Sequence, residues 1–522
     1  MTNDQPGINT ALLDQLRERL GEDCVGTAQS ELDYFAMDVF ARGEPLSAVI
    51  RPSDDRALKD AVGLLAAAGI PMIGRGGGLS YTDAYLASRP GSVLIDTGAL
   101  DRIVEINAQD RYAVVECGVT WAQLDAALEA SGLRTPYFGP LSGLEATIGG
   151  ALAQGSVFLG SGRYGSVADS VLSLDVITPT GELIRTGAAA AADTPPFFRY
   201  FGPDLTGVFV GDAGTLGIKL RASLRLIERP EAAGFRSWQA ESADEMFELM
   251  SQLARSGLPS ECFGFDPLLA EMRVKRASIG EGARAMQSVV RRQGLLSGLT
   301  LAVRGRGFLD TSCYSVHAVI EASDRPELRA RLKQADRRCA RSAARPIAAS
   351  IPQALRANPF TPPNTMLGPS GERWVPVHGI LPHSRAKAAY SALRQALDDN
   401  ADTLERHLIQ VGFLFATVGQ QATLIEPVFY WPDSHTPYHR RRVEPAHRQR
   451  IGEADDNPAA RTEVARLKRL LADILRSHGA VHFQIGKFYN WRDGMNPAAR
   501  ALHDAIKRAL DPQDLMNPGA LA

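Results

Sequence analysis

Long apolar runs are missing from this chain. Every hydrophobic stretch is broken by Gly, Pro or charge before it reaches membrane-spanning length, which excludes a helical span. Cysteine is scarce: Cys24, Cys117, Cys262, Cys313 and Cys339 are scattered, odd in number, and form no CxxC or zinc-type spacing. That argues against a disulfide framework and points to buried thiols in a reducing compartment, here the cytoplasm. An excess of one charge is also absent, with 57 Lys and Arg against 59 Asp and Glu. A net charge of −2 gives nucleic acid or an anionic membrane nothing global to bind. The opening residues MTNDQPGINTALLDQLRERLGEDC lack the basic region and apolar core of a secretory signal. No internal repeat is visible. What remains is 522 residues, 45% hydrophobic and 22% charged, an ordinary globular balance with room for several domains.

Glycine, by contrast, is concentrated. Ile70 to Tyr81 reads IPMIGRGGGLSY: a short apolar strand that runs into Arg75 and the glycines 76–78. Consecutive amides in such a turn form an anion-binding concavity, and Arg75 adds positive charge beside it. The strand 45–51, a helix 56–68 capped by Ser53 or Asp54, and the strand 70–73 make a βαβ unit. A dinucleotide fingerprint would have its glycines after the first strand, opening a helix; here they follow the second.

Three short strands follow (92–96, 103–106, 112–117), then a helix 120–130 capped by Thr120. A second glycine-dense stretch, PYFGPLSGLEATIGGALAQGSVFLGSGRYG at 136–165, carries Leu, Ile, Val, Phe and Tyr between its glycines. That mixture suits backbone running closely along an extended ligand. A hairpin at 171–177 and 183–186 and a strand at 220–227 complete an α+β region. From Pro230, strands and helices alternate to about Tyr430, read as an antiparallel sheet with helices packed on it. The last part has a helix 459–478, a strand 480–489 and a helix 497–510. The domain plan is an N-terminal helical segment 1–44, a ligand-binding domain 45–230, a second domain 231–470, and a C-terminal segment 471–522.

Taken together, RGGGLSY, GPLSGLEATIGG, GSGRYGSVADSVLSLDVITPTGELIRTG, DLTGVFVGDAGTLGIKLRASLRLIERP and ALDPQDLMNPGAL resemble, in order, the motifs of the FAD-linked oxidases of the vanillyl-alcohol oxidase and p-cresol methylhydroxylase type. That family includes the glycolate oxidase D subunit, D-lactate dehydrogenases and alkyl-dihydroxyacetone-phosphate synthase. The resemblance implies an FAD domain of two α+β subdomains and an antiparallel-sheet cap domain. It assigns Arg75, Gly76, Gly77, Gly78, Leu79 and Ser80 to the pyrophosphate. Pro140, Ser142, Gly143, Thr147, Gly149 and Gly150 would line the diphosphate and ribityl chain. Ser156, Gly162, Tyr164, Gly165 and Ile218 would flank the flavin or adenine, with Asn517 approaching from the C-terminal segment. No His or Cys lies within RGGGLSYTDAY, so non-covalent FAD is expected, although His378 and His383 leave a cap-domain link open.

Flavin oxidation needs a base for the departing proton and a positive group near the reduced ring. Read as a strand, VHFQIGKFYNW puts His482 on one face and Lys487 and Tyr489 on the other. Lys487 or His482 is expected to supply charge or base function and Tyr489 to bind substrate; the plainer readings are a solvated cation and a hydrogen-bonded histidine. His378 and Tyr430 are further catalytic candidates from the cap, with Phe429, Tyr430 and Trp431 available to wall a flat substrate. The basic run YHRRRVEPAHRQR reads as a solvated face. The metal-dependent 2-hydroxy-acid members carry a cap segment rich in His and a Glu-His-Gly that this chain lacks, so no metal is expected. The expected function is hydride transfer from a small organic substrate to flavin N5. A 2-hydroxy acid is taken first, because Lys487, Arg492 and the cap histidines are available to grip a carboxylate. The alternatives are a para-substituted phenol, an FAD-dependent alkyl-transfer synthase, and a non-catalytic flavin-binding protein. Oxygen, a quinone or a cytochrome would serve as electron acceptor, and a homodimer is compatible with the sequence.

Overall fold

The computed structural model describes residues 7–276 and 311–521. Internal contacts divide the chain into two units: Met1–Ser156, Val167–Glu228 and Phe483–Ala522 in the first, Val157–Ser166 and Arg229–His482 in the second.

The first unit opens on α1 (Thr10–Leu20), capped by the Asn9 side chain, which accepts from the Leu12 amide at 2.9 Å. Its Leu12, Leu16 and Leu20 recur every fourth residue and are buried. The strands β1 (Val25–Gly26), β2 (Leu46–Ile50), β3 (Met72–Arg75) and β4 (Ser92–Asp96) form a sheet in the order β1-β2-β4-β3. β4 lies parallel to both β2 and β3. The helix α2 (Asp55–Ala67) provides the crossover that parallel strands require, and Asp54 caps it by accepting from the Ala57 amide at 2.8 Å. A second, antiparallel sheet follows from β5 (Ile103–Asn107), β6 (Tyr112–Glu116), β7 (Val171–Ile177), β8 (Leu183–Arg185) and β9 (Ile218–Arg225), ordered β5-β6-β9-β7-β8. Between β6 and β7 stand α3 (Trp121–Glu129), with a Thr120–Gln123 capping box, and α4 (Ile148–Gln154). Leu16, Leu58, Val62, Leu65, Ile95, Ile177, Ile218 and Met516 share one core cluster.

The second unit contains β10 (Ala232–Ala240), α5 (Ala243–Arg255), β11 (Pro259–Phe265), α6 (Pro267–Arg276), β12 (Tyr314–Ala322), α7 (Arg325–Cys339) and β13 (Arg345–Ile347). After them come β14 (Arg373–Pro376), β15 (Gly379–Pro382), α8 (His383–Asp398), β16 (Gln410–Val418), β17 (Ala422–Trp431) and α9 (Pro458–Ser477). The strands form one antiparallel sheet ordered β13-β10-β12-β11-β16-β17-β14, with β15 also on β17. Fold class and sheet type are those expected from the sequence.

Residues opposite each other in an antiparallel ladder share a face. The row Trp238, Val316, Gly264, Phe415 and Ile425 turns toward the helices. There a Cβ on Gly264 would meet the sulfurs of Met250 and Met246 on α5 at 3.4 and 3.5 Å, and Phe247 meets Phe415 with ring centroids 5.3 Å apart. The other face carries Gln239, Ser315, Phe265, Leu414 and Glu426 in one row, and Ser237, His317, Phe263, Ala416 and Leu424 in the next. One sheet therefore has an apolar face against helices and an opposite face dotted with polar groups.

Two sequence expectations fail here. Residues 480–489 do not form a strand: Val481 makes one bridge to Ile380, after which the chain turns, with Gln484 at φ +49° and Gly486 at φ +57°. Period-2 alternation therefore says nothing about where His482, Lys487 and Tyr489 point. Phe429, Tyr430 and Trp431 do not form one wall either, because alternation along β17 sends Phe429 and Trp431 to the helix face and Tyr430 to the other.

Just past β17, Asp433 is fully buried and ties the end of the sheet together. It accepts from Trp431 Nε1 at 3.0 Å, Arg373 Nη1 at 3.3 Å, Arg461 Nη1 at 3.0 Å and the Asn457 amide at 2.9 Å. Removing one partner of a buried charge pair typically costs about 3–5 kcal/mol. Asp433→Ala should therefore lower stability by several kcal/mol in urea unfolding; a loss under about 1 kcal/mol would show that this hub contributes little.

Candidate functional site

In the first unit, β3 delivers the chain into the glycine loop, and the loop lies directly on the segment preceding α4. A Cβ on Gly76 would collide with Thr147 Oγ1, and one on Gly77 with the Glu145 carbonyl. Gly78 has φ +69°, a conformation that side chains disfavour. Leu79 is half-buried, and Ser80 shares a hydrogen bond with Thr82 at 3.0 Å. Thr147 accepts from the Gly150 amide at 3.2 Å, while the Gly149 amide donates to Cys117 O at 2.8 Å. Pro140 accepts from the Gly143 amide at 3.0 Å, and Ser142 O from the Ala146 amide at 2.9 Å. The two glycine-rich stretches read separately from the sequence are thus brought into backbone contact.

Arg75 has a different placement from that of an exposed anion ligand. Its guanidinium is caged by the rings of Phe35 (4.7 Å), Tyr85 (5.2 Å) and Tyr34 (5.5 Å), and Nη2 donates to the Tyr34 hydroxyl at 3.3 Å. Tyr85 in turn donates to Gly78 O at 2.7 Å, so the cage supports the loop from behind. Ile218 is a core residue, with Gly74 set closely against it. Ser156 accepts from the buried Tyr137 hydroxyl at 2.8 Å.

Asn517 is the join between the C-terminal segment and these loops. Its side-chain nitrogen donates to Ala84 O at 2.8 Å and Ala213 O at 2.6 Å, its oxygen accepts from Lys487 Nζ at 2.5 Å, and its amide donates to Met72 O at 2.8 Å. Lys487 Nζ also donates to Leu86 O at 2.7 Å. The lysine clamps backbone rather than projecting as a solvated cation, and burial pushes its ammonium down to about 7, with Asp83 and Asp38 opposing. Tyr489 is buried edge-on to Phe488 at 4.9 Å. Arg492, offered by the sequence as a carboxylate grip, is engaged by Asp504 at 2.7 Å and Leu521 O at 2.9 Å.

The remaining candidates lie in the second unit. Gly162 packs on Ser260, whose carbonyl a Cβ would meet at 2.9 Å; Tyr164 is half-buried, and Gly165 has φ +79°. His378 is fully buried and its carbonyl accepts from His482 Nδ1 at 2.7 Å; burial lowers the pKa of both rings. His383 is occupied by Thr423 Oγ1 at 2.7 Å and Gln420 O at 3.0 Å. Tyr430 is buried between Trp374 and Gln410 on neighbouring strands. His482 therefore belongs to a different unit from Lys487 and Tyr489. In the basic run, Tyr438, His439 and His447 are buried, so a solvated face describes only its arginines. Among the described residues no group of three His, Cys, Asp or Glu is arranged to hold a metal ion.

Sequence reasoning passed over Glu426 and His317, both on the polar face of the second unit's sheet. The available signal was Glu426 itself, the only charged residue in the strand ATLIEPVFYW.

Residues 46–187 match the FAD binding domain family. The glycolate oxidase subunit GlcD of Bacillus subtilis is 33% identical over 184 residues, 35% of this chain and 37% of that protein. The mitochondrial D-lactate dehydrogenase (cytochrome) of Arabidopsis thaliana is 34% identical over 166 residues, 31% of this chain and 27% of that protein. The chain thus spans about a third of these curated relatives. Among solved structures, p-cresol methylhydroxylase with substrate bound has a TM-score of 0.71 at 16% identity, covering 98% of this chain and 97% of that one. An alkyldihydroxyacetonephosphate synthase gives 0.71 at 15% identity, covering 99% and 86%.

The residues present fit FAD. The glycine loops form a side-chain-free cradle, and Gln154 Oε1 at the end of α4 is buried with no hydrogen-bond partner among the described residues, an acceptor available to a cofactor donor. Gly77→Ala should force the two loops apart and yield protein with most of its FAD lost, read as the flavin-to-protein absorbance ratio; full FAD content would refute the close packing. Lys487 gives a pH signature. Its folded pKa of about 7 lies below the unfolded value of about 10.4, so between these pH values the unfolded chain binds the extra proton. Stability from this group therefore rises as pH climbs from about 7 to about 10, and Lys487→Met should flatten that rise in unfolding titrations.

Proposed function

Because residues 46–187 belong to the FAD binding domain family and the whole chain takes the p-cresol methylhydroxylase fold, we propose that this protein is an FAD-dependent oxidoreductase acting on a small organic substrate. The observation that carries the reading is the close packing of the glycine loop, where Gly76 meets Thr147 and Gly77 meets the Glu145 carbonyl within the matched family segment. Bound there, FAD supplies an acceptor for a hydride from a substrate C–H. Arg75 stiffens the loop from its aromatic cage, and Asn517 with Lys487 locks the C-terminal segment beside it. FAD is held without a covalent link, since His378 is sealed inside the second unit and His383 is committed to Thr423 and Gln420.

Two substrate classes compete. The names of the sequence relatives favour a 2-hydroxy acid. The geometry weakens that option, because Lys487, Arg492 and His383, the groups suggested as a carboxylate grip, are spent on backbone or on other side chains. The polar sheet face of the second unit, with Phe263 and Phe265 beside His317, instead favours an aromatic or otherwise apolar alcohol. A 4-hydroxybenzyl alcohol is the model substrate, and oxygen, a quinone or a cytochrome takes the electrons afterwards. Among the described residues no helix is long and apolar enough to cross a membrane.

The purified protein should be yellow and release flavin in acid. Mixed anaerobically with vanillyl alcohol its visible band should bleach, while D-lactate and glycolate leave it unchanged. Colourless protein that FAD cannot reconstitute would overturn the function, and bleaching by D-lactate alone would restore the hydroxy acid.

A further inference from the structure

The second unit contains several buried carboxylates, and nearly all are partnered. Glu261 accepts from the Gly160 amide at 2.8 Å, and it shares Arg356 with Glu321. Asp266 accepts from the Leu269 amide at 2.8 Å and the Phe413 amide at 2.9 Å. Asp433 has the hub described above. Glu426 is different. No hydrogen bond or ion pair reaches its carboxyl among the described residues. Glu426 is partly buried in the sheet and keeps some solvent-reachable surface. An unpartnered carboxyl so placed has a desolvation cost, which a ligand can relieve.

Its surroundings set the chemistry. Across the ladder Glu426 stands opposite Leu414, which stands opposite Phe265. Phe265 and Phe263 flank the His317 ring at 5.5 and 5.2 Å, tilted to it by 49° and 38°, and the three rings make an apolar, buried cluster. His317 adds no charge: its nitrogens face Ser237 Oγ at 2.8 Å and Ser315 Oγ at 3.1 Å, and burial, with Arg273 second, pushes its pKa down to about 3. Arg356 is taken up by Glu261 and Glu321, and the cation beside the Phe265 ring is Arg273 on α6, 5.0 Å from its centroid. Its field acts on Glu426, so any ionised form of that carboxyl already answers the arginine charge.

We infer that Glu426 is the hydrogen-bonding anchor for the hydroxyl of a neutral alcohol or phenol whose apolar body lies against Phe263 and Phe265. This rests on the oxidoreductase reading above and narrows it: the site takes an uncharged hydroxyl compound and rejects a free carboxylate. Burial, partly offset by Arg273, pushes the Glu426 carboxyl up to about 7, so near neutrality it is available both as donor and as acceptor to a hydroxyl. A ligand carboxylate would meet a like charge whenever Glu426 is ionised.

The test uses the full-length FAD-loaded protein and two ring probes that carry no oxidisable side chain, phenol and benzoate. In titration calorimetry phenol should bind at least about tenfold more tightly than benzoate, in line with the cost of leaving a buried polar group unmatched. Glu426→Leu should weaken phenol at least about tenfold, while Glu426→Gln, which keeps a donor and an acceptor, stays within a few-fold. Equal phenol affinity in wild type and Glu426→Leu, or preference for benzoate, would overturn the inference. Should the leucine variant fail to fold, infrared difference spectra decide. Phenol should shift a protonated-carboxyl stretch in wild type that is missing in Glu426→Gln, and no shift in wild type refutes the contact. Flavin content, measured on the same samples, separates the two levels: a protein without FAD sinks the proposed function, whereas a flavoprotein with Glu426-independent phenol binding sinks only this inference.

Discussion

One amide side chain holds the first unit's loops together. Asn517 sits at φ +44°, a left-handed conformation that Asn tolerates better than most residues. From there it reaches the carbonyls of Ala84 and Ala213 and the ammonium of Lys487. Those partners belong to segments separated by hundreds of residues, so one side chain replaces what would otherwise be several independent loop closures. Around it the C-terminal segment makes further joins of the same kind: Leu515 O accepts from the Met72 amide at 2.8 Å, and Lys507 Nζ donates to Thr215 O at 3.0 Å. The loop that follows β3 can be glycine-rich and still well placed because this seam and the aromatic cage around Arg75 supply the rigidity its own side chains cannot.

The second unit solves its polar problem differently. A wide antiparallel sheet with one apolar face against α5 and α8 leaves its polar groups on the other face, where they must be matched one by one. Ser237 and Ser315 satisfy both nitrogens of His317, Arg356 serves two glutamates, and Asp433 accepts from Trp431, Arg373, Arg461, Asn457 and Ser434 at the sheet's end. Against that level of satisfaction the carboxyl of Glu426 stands out as one with no hydrogen-bond partner among the described residues.

The cofactor side of this protein was legible in its sequence because glycine reports a local backbone requirement. Gly76, Gly77 and Gly78 mark close approach and positive φ wherever they occur, and those needs survive whatever the tertiary contacts turn out to be. The helix caps Asp54 and Thr120 were readable for the same reason. Side-chain direction was not. VHFQIGKFYNW has the composition of a strand, but Gln484 and Gly486 adopt positive φ and turn the chain, which undoes the alternation that placed His482, Lys487 and Tyr489. Arg75 and Lys487 look like ligand-binding cations by residue type; only the structure shows one stacked among rings and the other bonded to a backbone carbonyl.

Charge is the most selective statement the geometry makes about the substrate. A carboxylate-binding site needs a donor-rich cation with nothing else to bind, and the cations once considered for that task are occupied: Lys487 by Leu86 and Asn517, Arg492 by Asp504 and Leu521. The polar face of the sheet offers a different chemistry, the carboxyl of Glu426 near phenyl rings and a histidine kept neutral by burial. Sequence similarity to a glycolate oxidase subunit and a D-lactate dehydrogenase covers about a third of each relative, and the family match ends at residue 187. The family match therefore speaks for the cofactor and ends well before β16 and β17. The proposal of an apolar hydroxyl compound rests instead on those strands, where Leu414 stands opposite Glu426.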